Sequence, residues 1–432
     1  MNKTLHGALI RGIPPGAVCY PSRPEFDQQA CASVASKWYN SSYHATNPVS
    51  IDYPIWANNS CNPIFPNGTG ITGSPYDRAN GCSIGNYPAY VVNATSADQV
   101  SKALVWAGAR NIRLVVKATG HSYQGRSTGH GSLSIWTHHM RGIDYIPSFQ
   151  PTSCSYKRPL TAVRVAAGHT NIDVQEAVAM HGMAIVTGAN PSVGLIGWLT
   201  GGGHGPLSTR YGMGADNLLE ATVVTPDGKV VLTNPCRNED LFFAIRGGGG
   251  STFGVITEVV VRTFPSPSTI AHTFQVRSKS SSTNAEFYDF LGFLHSKMQM
   301  LKENGMQGYY LVVGPPIVPT LSFSWTFLLY DTPSGAIKRL MDPVEAYLYD
   351  RNYAFEWKSV MTQTKTYLEM HKANFTNEQV ANGGSAYGSR LLSAESLANA
   401  NKTAAVLSEI GPRNEALKPS VSYLSLVPRY QC

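Results

Sequence analysis

Apolar positions along the chain fall into two textures. Up to about residue 87 they are scattered among turn residues, and a single helix is predicted around Gln28–Tyr39. From Asn86 the spacing becomes regular. Pro88–Asn93 reads as a short strand, and Ser96–Ala107 as a helix with Ser96 as its cap. Ile112–Lys117 is a β-branched strand that runs into a glycine-containing loop. Further strands are predicted at Ala162–Ala166, Leu219–Val224, Val230–Leu232 and Val255–Phe264. Pro265 and Pro267 close the last of these and place a boundary near 265. Beyond it, Glu286–Leu301 and Gly335–Tyr349 are spaced as helices, with strands at Gly308–Val313 and Leu321–Leu329. From about 388 the chain reads as helical or irregular, with a weak strand pattern over Ser420–Cys432. The expected fold class is α+β in three parts: a leading segment 1–85, a domain 86–267 and a second α+β domain 268–432.

Composition narrows the class. Of 432 residues 43% are hydrophobic and 14% charged, against ~25% charged in an ordinary soluble domain, which excludes disorder. No apolar run approaches the ~18 residues of a membrane span, so no membrane partner is expected. The net charge of +7 is spread without a basic tract, so nucleic acid is not an expected partner either. Cys19, Cys31, Cys61 and Cys82 crowd the turn-rich start and read as disulfide staples in one of three pairings. Cys154, Cys236 and Cys432 are left open as paired, buried or free. Asn-x-Ser/Thr sequons at Asn2, Asn40, Asn58, Asn67, Asn93, Asn374 and Asn401 fit a secreted glycoprotein. Met1 is followed by no apolar signal core, so an export signal is expected upstream of this start.

Candidate chemistry concentrates in glycine-rich loops. Lys117-Ala-Thr-Gly-His-Ser-Tyr-Gln-Gly-Arg-Ser127 follows a strand, and its small residues leave backbone N–H groups open to a pyrophosphate. Residues 187–208 hold seven glycines, a density that lets backbone lie against a flat ligand. Tyr211–Asn217 and the run Asp240–Thr257, with its four consecutive glycines, complete the set. None fits the G-x-G-x-x-G dinucleotide fingerprint. His130, His138, His139, His169 and His204 lack metal-ligand spacing, so no metal is expected. The absence of G-x-S-x-G argues against a hydrolase.

Together these four blocks, K-A-T-G-H-S-Y-Q-G-R-S, N-P-S-V-G-L-I-G-W-L-T-G-G-G-H-G, Y-G-M-G-A-D-N and D-L-F-F-A-I-R-G-G-G-G-S-T-F-G-V-I-T, resemble in order and spacing the vanillyl-alcohol-oxidase-type flavoproteins. The likeness is greatest to their berberine-bridge-enzyme-like branch of fungal secreted enzymes, and it runs from about residue 15 to 400. It implies an FAD-binding PCMH-type domain over 86–267 and a substrate domain of antiparallel sheet and helices. It places FAD on Ala118, Thr119, Gly120, His121, Ser122, Gly125 and Ser127 of the first loop. From the second loop come Gly188, Asn190, Val193, Gly194, Gly197, Trp198, Gly201, Gly202, His204 and Gly205, and from the last block Gly254, Val255 and Ile256. His121 stands where the family's histidine is bonded to the flavin. Asn190 stands where many relatives have a second, cysteinyl link, so one covalent attachment is implied.

Val193 falls at the gatekeeper position for O₂ and resembles the oxidases, while Trp198 replaces a histidine common in plant members. Arg246 and Asp240 are expected to serve the fold. The implied function is hydride transfer from an alcohol, carbohydrate or secondary metabolite to covalently bound FAD, with O₂ as acceptor, in an extracellular monomer. The family's catalytic base lies near a C-terminal Y-x-N-Y motif that is absent here, so the base is unassigned, with Tyr123, Tyr387 and Arg390 near the expected cleft. Gly383–Leu392 matches a family strand, after which the relatives continue further. The chain therefore reads as shortened at its C-terminus, and a catalytically silent flavin-binding remnant is the alternative.

Overall fold

The computed structural model describes residues 1–64, 70, 81–155, 158–250, 252–279, 282–333, 335–376, 379–381 and 389–413, together with the backbone of 421–425. The chain divides into two compact units. One comprises Met1–Pro265 and Phe375–Ala386, the other Ser266–Asn374 and Tyr387–Cys432.

Two sheets build the first unit. The smaller contains β1 (Leu9–Arg11), β2 (Tyr90–Asn93), β3 (Leu114–Lys117) and β4 (Leu133–Trp136) in the order β1-β2-β4-β3. β4 runs parallel to both β2 and β3, and parallel neighbours need a crossover. The helix Ala97–Gly108 provides the one between β2 and β3. The Ser96 hydroxyl caps it, and it buries Val100, Ala103, Leu104 and Ala107. The larger sheet is antiparallel, with the path β5 (Ile143–Phe149), β6 (Leu160–Ala166), β10 (Val255–Pro265), β8 (Leu218–Val224) and β9 (Val230–Thr233), and with β7 (Met183–Ile185) also on β10. β8 and β10 are buried on both faces, which is why they read as nearly continuous apolar runs.

The second unit is a five-stranded antiparallel sheet in the order β14-β11-β13-β12-β15: β11 is Thr269–Ser278, β12 Gln307–Val313, β13 Ser322–Tyr330, β14 Phe355–Thr364 and β15 Val421–Ser425. The helix Asn284–Glu303 opens with a Thr283–Glu286 capping box. With Ala336–Tyr349 it contributes to a core around Phe274, Phe290, Phe323 and Trp325. The strand expected over 383–392 is a correction in its described part. Residues 389–392 are not in a strand and Leu391 is 95% exposed, because no strand among the described residues offers them a ladder. The rest of that segment, Tyr387 included, lies outside the described residues, as do Asn67 and Cys432.

The pairing that the sequence leaves open is Cys19–Cys31 and Cys61–Cys82, and a third bridge joins Cys154 to Cys236. The leading segment is tied into the first unit at several points. β1 extends the smaller sheet, and Asp52 N–H donates to the Gly120 carbonyl. Residues 379–381 return to the same segment, with Val380 N–H on Tyr39 O and Ala381 N–H on Asp52 O.

The strongest tie is Lys117, at the end of β3 and only 1% exposed. Its ammonium donates to the carbonyls of His44 (3.0 Å), Ala45 (3.4 Å) and Asn47 (2.8 Å). These lie at the C-terminal end of the helix Ser41–Thr46, where a cation meets unpaired carbonyls and the negative end of the dipole. The Trp136 ring lies 5.3 Å from the same charge. Burial nevertheless lowers the Lys117 pKa from 10.5 to about 7, opposed by the Asp52 carboxylate.

Two outcomes follow from these ties. The Cys154–Cys236 bridge spans 82 residues, a loop whose closure entropy corresponds to about 4 kcal/mol. Urea unfolding of a Cys154→Ala/Cys236→Ala variant should show a loss of that order, and an unchanged midpoint would contradict it. For Lys117 the unfolded chain keeps its proton up to about pH 10.5, whereas the folded chain releases it from about pH 7. The unfolded state thus binds more protons between these values, and stability rises with pH across that window. The stability difference between wild type and Lys117→Met should therefore shift toward wild type from pH 7 to pH 9, by at most ~1.4 kcal/mol per unit. A flat difference would refute the assignment.

Candidate functional site

The loop after β3 turns at Gly120, whose φ of +99° is left-handed; a Cβ there would come within 3.3 Å of Ile51 Cα and the Ser50 carbonyl. This turn directs His121 inward, with its side chain 7% exposed. Around the ring stand three groups far away in sequence. Ser41 Oγ lies 2.8 Å from Nε2 although 80 positions away. Ser192 Oγ lies 2.8 Å from the same nitrogen. Asp52 Oδ2 lies 3.0 Å from Nδ1. The Ser41 hydroxyl donates to Asp52 Oδ2 at 2.7 Å, and the Ser192 hydroxyl to Asn190 Oδ1 at 2.9 Å.

The two glycine-rich loops meet here. Gly194 N–H donates to Thr119 Oγ1 at 3.3 Å, and a Cβ on Gly194 would press on Ala118 and Thr119. Asn190 Oδ1 also accepts from Ser192 N–H, at 3.0 Å. Three buried polar atoms in this one network have no hydrogen-bond partner: His121 Nδ1, Asp52 Oδ1 and Asn190 Nδ2. The Asp52 oxygen near Nδ1 is in ion-pair range but off the line of a hydrogen bond. Buried polar groups are nearly always satisfied, and each orphan costs roughly 1–3 kcal/mol. Three together mark a place where polar groups of a ligand belong.

The glycines of the second loop divide into two sets. Cβ atoms on Gly188 and Gly203 would come 3.0 Å from the Trp198 indole, and one on Gly214 would overlap it. The flat group that these three glycines accommodate is therefore the chain's own Trp198, whose Nε1–H donates to the His204 carbonyl at 2.9 Å. Gly205 is required by contact with the Thr187 carbonyl. Gly197 and Gly202 face open space, and Gly201 meets nothing closer than 3.6 Å. These three retain the close approach that the glycine density suggested.

The other expected residues are placed as follows. Ser122 Oγ accepts from Arg126 N–H, and Gly125 packs on the Trp56 ring. Trp56 Nε1–H donates to the Tyr123 carbonyl, and Tyr53 lies 4.6 Å from the Tyr123 ring. Ser127 is half-buried in the same loop. Val193 is half-buried, its carbonyl taken by Asn171 N–H. Val255 and Ile256 pair with Val224 and Val223, and their side chains are spent in the core, while Gly254 is required by contact with the Val224 carbonyl. Arg246 donates to the Ala215 carbonyl. Arg390 and Tyr123 are exposed. Among the described residues no group of three His, Cys, Asp or Glu side chains could hold a metal, and no helix is long and apolar enough to cross a membrane.

Ser41, Asp52 and Ser192 are absent from the residues picked out by sequence. Asp52 lies in a proline-flanked turn with no spacing relation to His121. Only the neighbourhood of Ser192, inside the second glycine loop, carried any signal.

Residues 88–234 match the family described as "FAD binding domain". The FAD-linked oxidoreductase ZEB1 of Gibberella zeae is 31% identical over 420 residues, covering 95% of this chain and 69% of the relative. The VAO-type flavoprotein oxidase VAO615 of Thermothelomyces thermophilus is 40% identical over 265 residues, covering 61% of this chain and 44% of the relative. In three dimensions the chain resembles the VAO-type flavoprotein MtVAO713 from Myceliophthora thermophila C1, with a TM-score of 0.87 and 28% identity over 99% of this chain and 74% of that one. An α+β fold with a family FAD-binding domain, and likeness over nearly the whole of this chain to proteins of which it spans 69% and 74%, lead to one conclusion: the chain belongs to the FAD-linked oxidoreductases of the vanillyl-alcohol-oxidase type.

Proposed function

We propose that this oxidoreductase is an oxidase that carries its FAD bonded through His121 and takes hydride from an alcohol, carbohydrate or secondary metabolite, with dioxygen as the final acceptor. The carrying observation is the His121 ring itself: buried, flanked at Nε2 by two hydroxyls, and with the Asp52 carboxylate beside an Nδ1 that makes no hydrogen bond. In its neutral form such a ring offers one nitrogen lone pair to a carbon electrophile. Attachment would exchange one N–H and one C–H bond for one N–C bond, with dioxygen, the acceptor proposed above, taking up the two protons and two electrons removed.

When bound, the isoalloxazine supplies the hydride acceptor, and a histidyl bond makes it a stronger one. The chain's own residues position it. Thr119 and Gly194 hold the two loops together, Asn190 offers a buried amide N–H, and Gly197, Gly201 and Gly202 admit close approach. An amide at 190 forms no thioether, which supports a single link. Val193 at the gatekeeper position and the oxidase named among the relatives support dioxygen as acceptor.

Three disulfides support an oxidising compartment and secretion. Of the described sequons, Asn2, Asn40, Asn58 and Asn401 are exposed, and Asn58 and Asn401 suit glycosylation. Asn40 instead caps the helix Ser41–Thr46, and Asn374 donates to the Met370 carbonyl.

Denaturation in acid should leave flavin absorbance with the wild-type polypeptide and release it from His121→Ala. Flavin that washes free of the wild type would refute the attachment. Anaerobic reduction of the holoenzyme followed by admission of air should release H₂O₂, and a reduced flavin that persists in air would refute the oxidase reading.

A further inference from the structure

We propose that His272 is an acid-sensitive latch within the second unit: as a neutral ring it joins β11 to β13 and to the edge strand β14, and on taking up a proton it loses β13 and lets β14 open.

The partners fix the state of the ring. His272 lies on β11 and is 0% exposed. Trp325 Nε1–H donates to its Nδ1 at 3.1 Å, and an indole nitrogen can only donate. Nδ1 is therefore unprotonated, and the neutral ring carries its proton on Nε2, 2.9 Å from Ser359 Oγ. Trp325 belongs to β13 and Ser359 to β14, so one ring ties three neighbouring strands. A second proton has to enter at Nδ1, where it sets one N–H against another and breaks the bond to Trp325.

Nothing around the ring compensates a charge. On its face of the sheet β11, β13 and β14 present no charged side chain, because Arg277, Glu356 and Lys358 alternate to the other face. The helix Tyr367–Asn374 packs on β11 and β14 with Tyr367 and His371 fully buried and with Glu369 and Lys372 at the surface. The Glu369 carboxylate accepts from Lys365 N–H. Tyr288, His295 and Tyr310 in the core beneath are hydrogen-bonded among themselves or to backbone carbonyls, and Tyr347 packs at its margin. Among the described residues the buried carboxylates are Asp52 and Glu220, both in the first unit.

Burial accordingly lowers the His272 pKa from 6.5 to about 4. Between these values an opened strand binds the proton and a closed one does not, so closure weakens as pH falls from 6.5 to 4. The way to water for a charged ring leads past β14. No described strand pairs with its outer edge, and Ser359, Val360 and Met361 are exposed. β14 therefore opens ahead of the rest of the sheet.

The test is hydrogen exchange of the β14 amides in the full chain from pH 7 to pH 4.5, corrected for the pH dependence of chemical exchange. In wild type, exchange of β14 should rise by up to about tenfold per pH unit below 6.5. His272→Asn offers an amide oxygen to Trp325 and does not titrate, so its β14 should lack that rise, while β12 exchanges alike in both proteins. Equal pH dependence of β14 in the two proteins, or a wild-type β14 that stays closed, overturns the proposal.

Should His272→Asn not fold, the wild-type ring decides. Its nitrogen spectrum, identified through contact with the Trp325 indole proton, should show a bare Nδ1 at pH 7. It should then take up a proton only as the indole bond and the protection of β14 are lost together. A protonated Nδ1 at pH 7, or protonation at lower pH with the indole bond and β14 unchanged, refutes the latch.

Discussion

A buried ammonium must be solvated by something, and here the backbone does it. Lys117 is surrounded by protein, and the carbonyls that receive its protons belong to one short helix. Because the chain leaves β3 at Lys117 and reaches His121 four residues later, the same contact fixes both ends of the site. The helix end is pinned to the strand, so Ser41 at the helix start is held against the histidine ring. The leading segment is in this way a wall of the site rather than a preamble to the domain.

That arrangement explains what the sequence could and could not disclose. β10 and the helix Asn284–Glu303 were legible because their apolar positions repeat over many residues. β14 was not, since most of its residues are exposed and no sustained alternation marks it. β1 and β7 are three residues each, held by their neighbours rather than by any pattern of their own. In the site, His121 and the glycine loops were visible as a contiguous motif. Ser41 and Asp52 were not, because their relation to His121 exists only after the chain has folded.

The glycines show how a correct inference can be assigned to the wrong partner. Their density signalled a flat group at close range, and one is there. For Gly188, Gly203 and Gly214 it is the indole of Trp198, and only Gly197, Gly201 and Gly202 still look outward. A tryptophan at 198 therefore brings its own requirement for small residues elsewhere in the loop. Replacing it with a smaller side chain would leave glycines with nothing to accommodate.

The return of residues 379–381 to the first unit bears on how the protein is made. Val380 and Ala381 donate to the carbonyls of Tyr39 and Asp52, yet Ser266–Asn374 of the second unit is translated between them and the residues they secure. A ribosome delivers the leading segment, the glycine-rich loops and the larger sheet long before this last clasp. The backbone under Asp52 therefore waits, incompletely bonded, until most of the chain has emerged. Completion of the backbone under Asp52 should accordingly be a late event in biogenesis, following synthesis of Ser266–Asn374 rather than of the domain that bears the histidine.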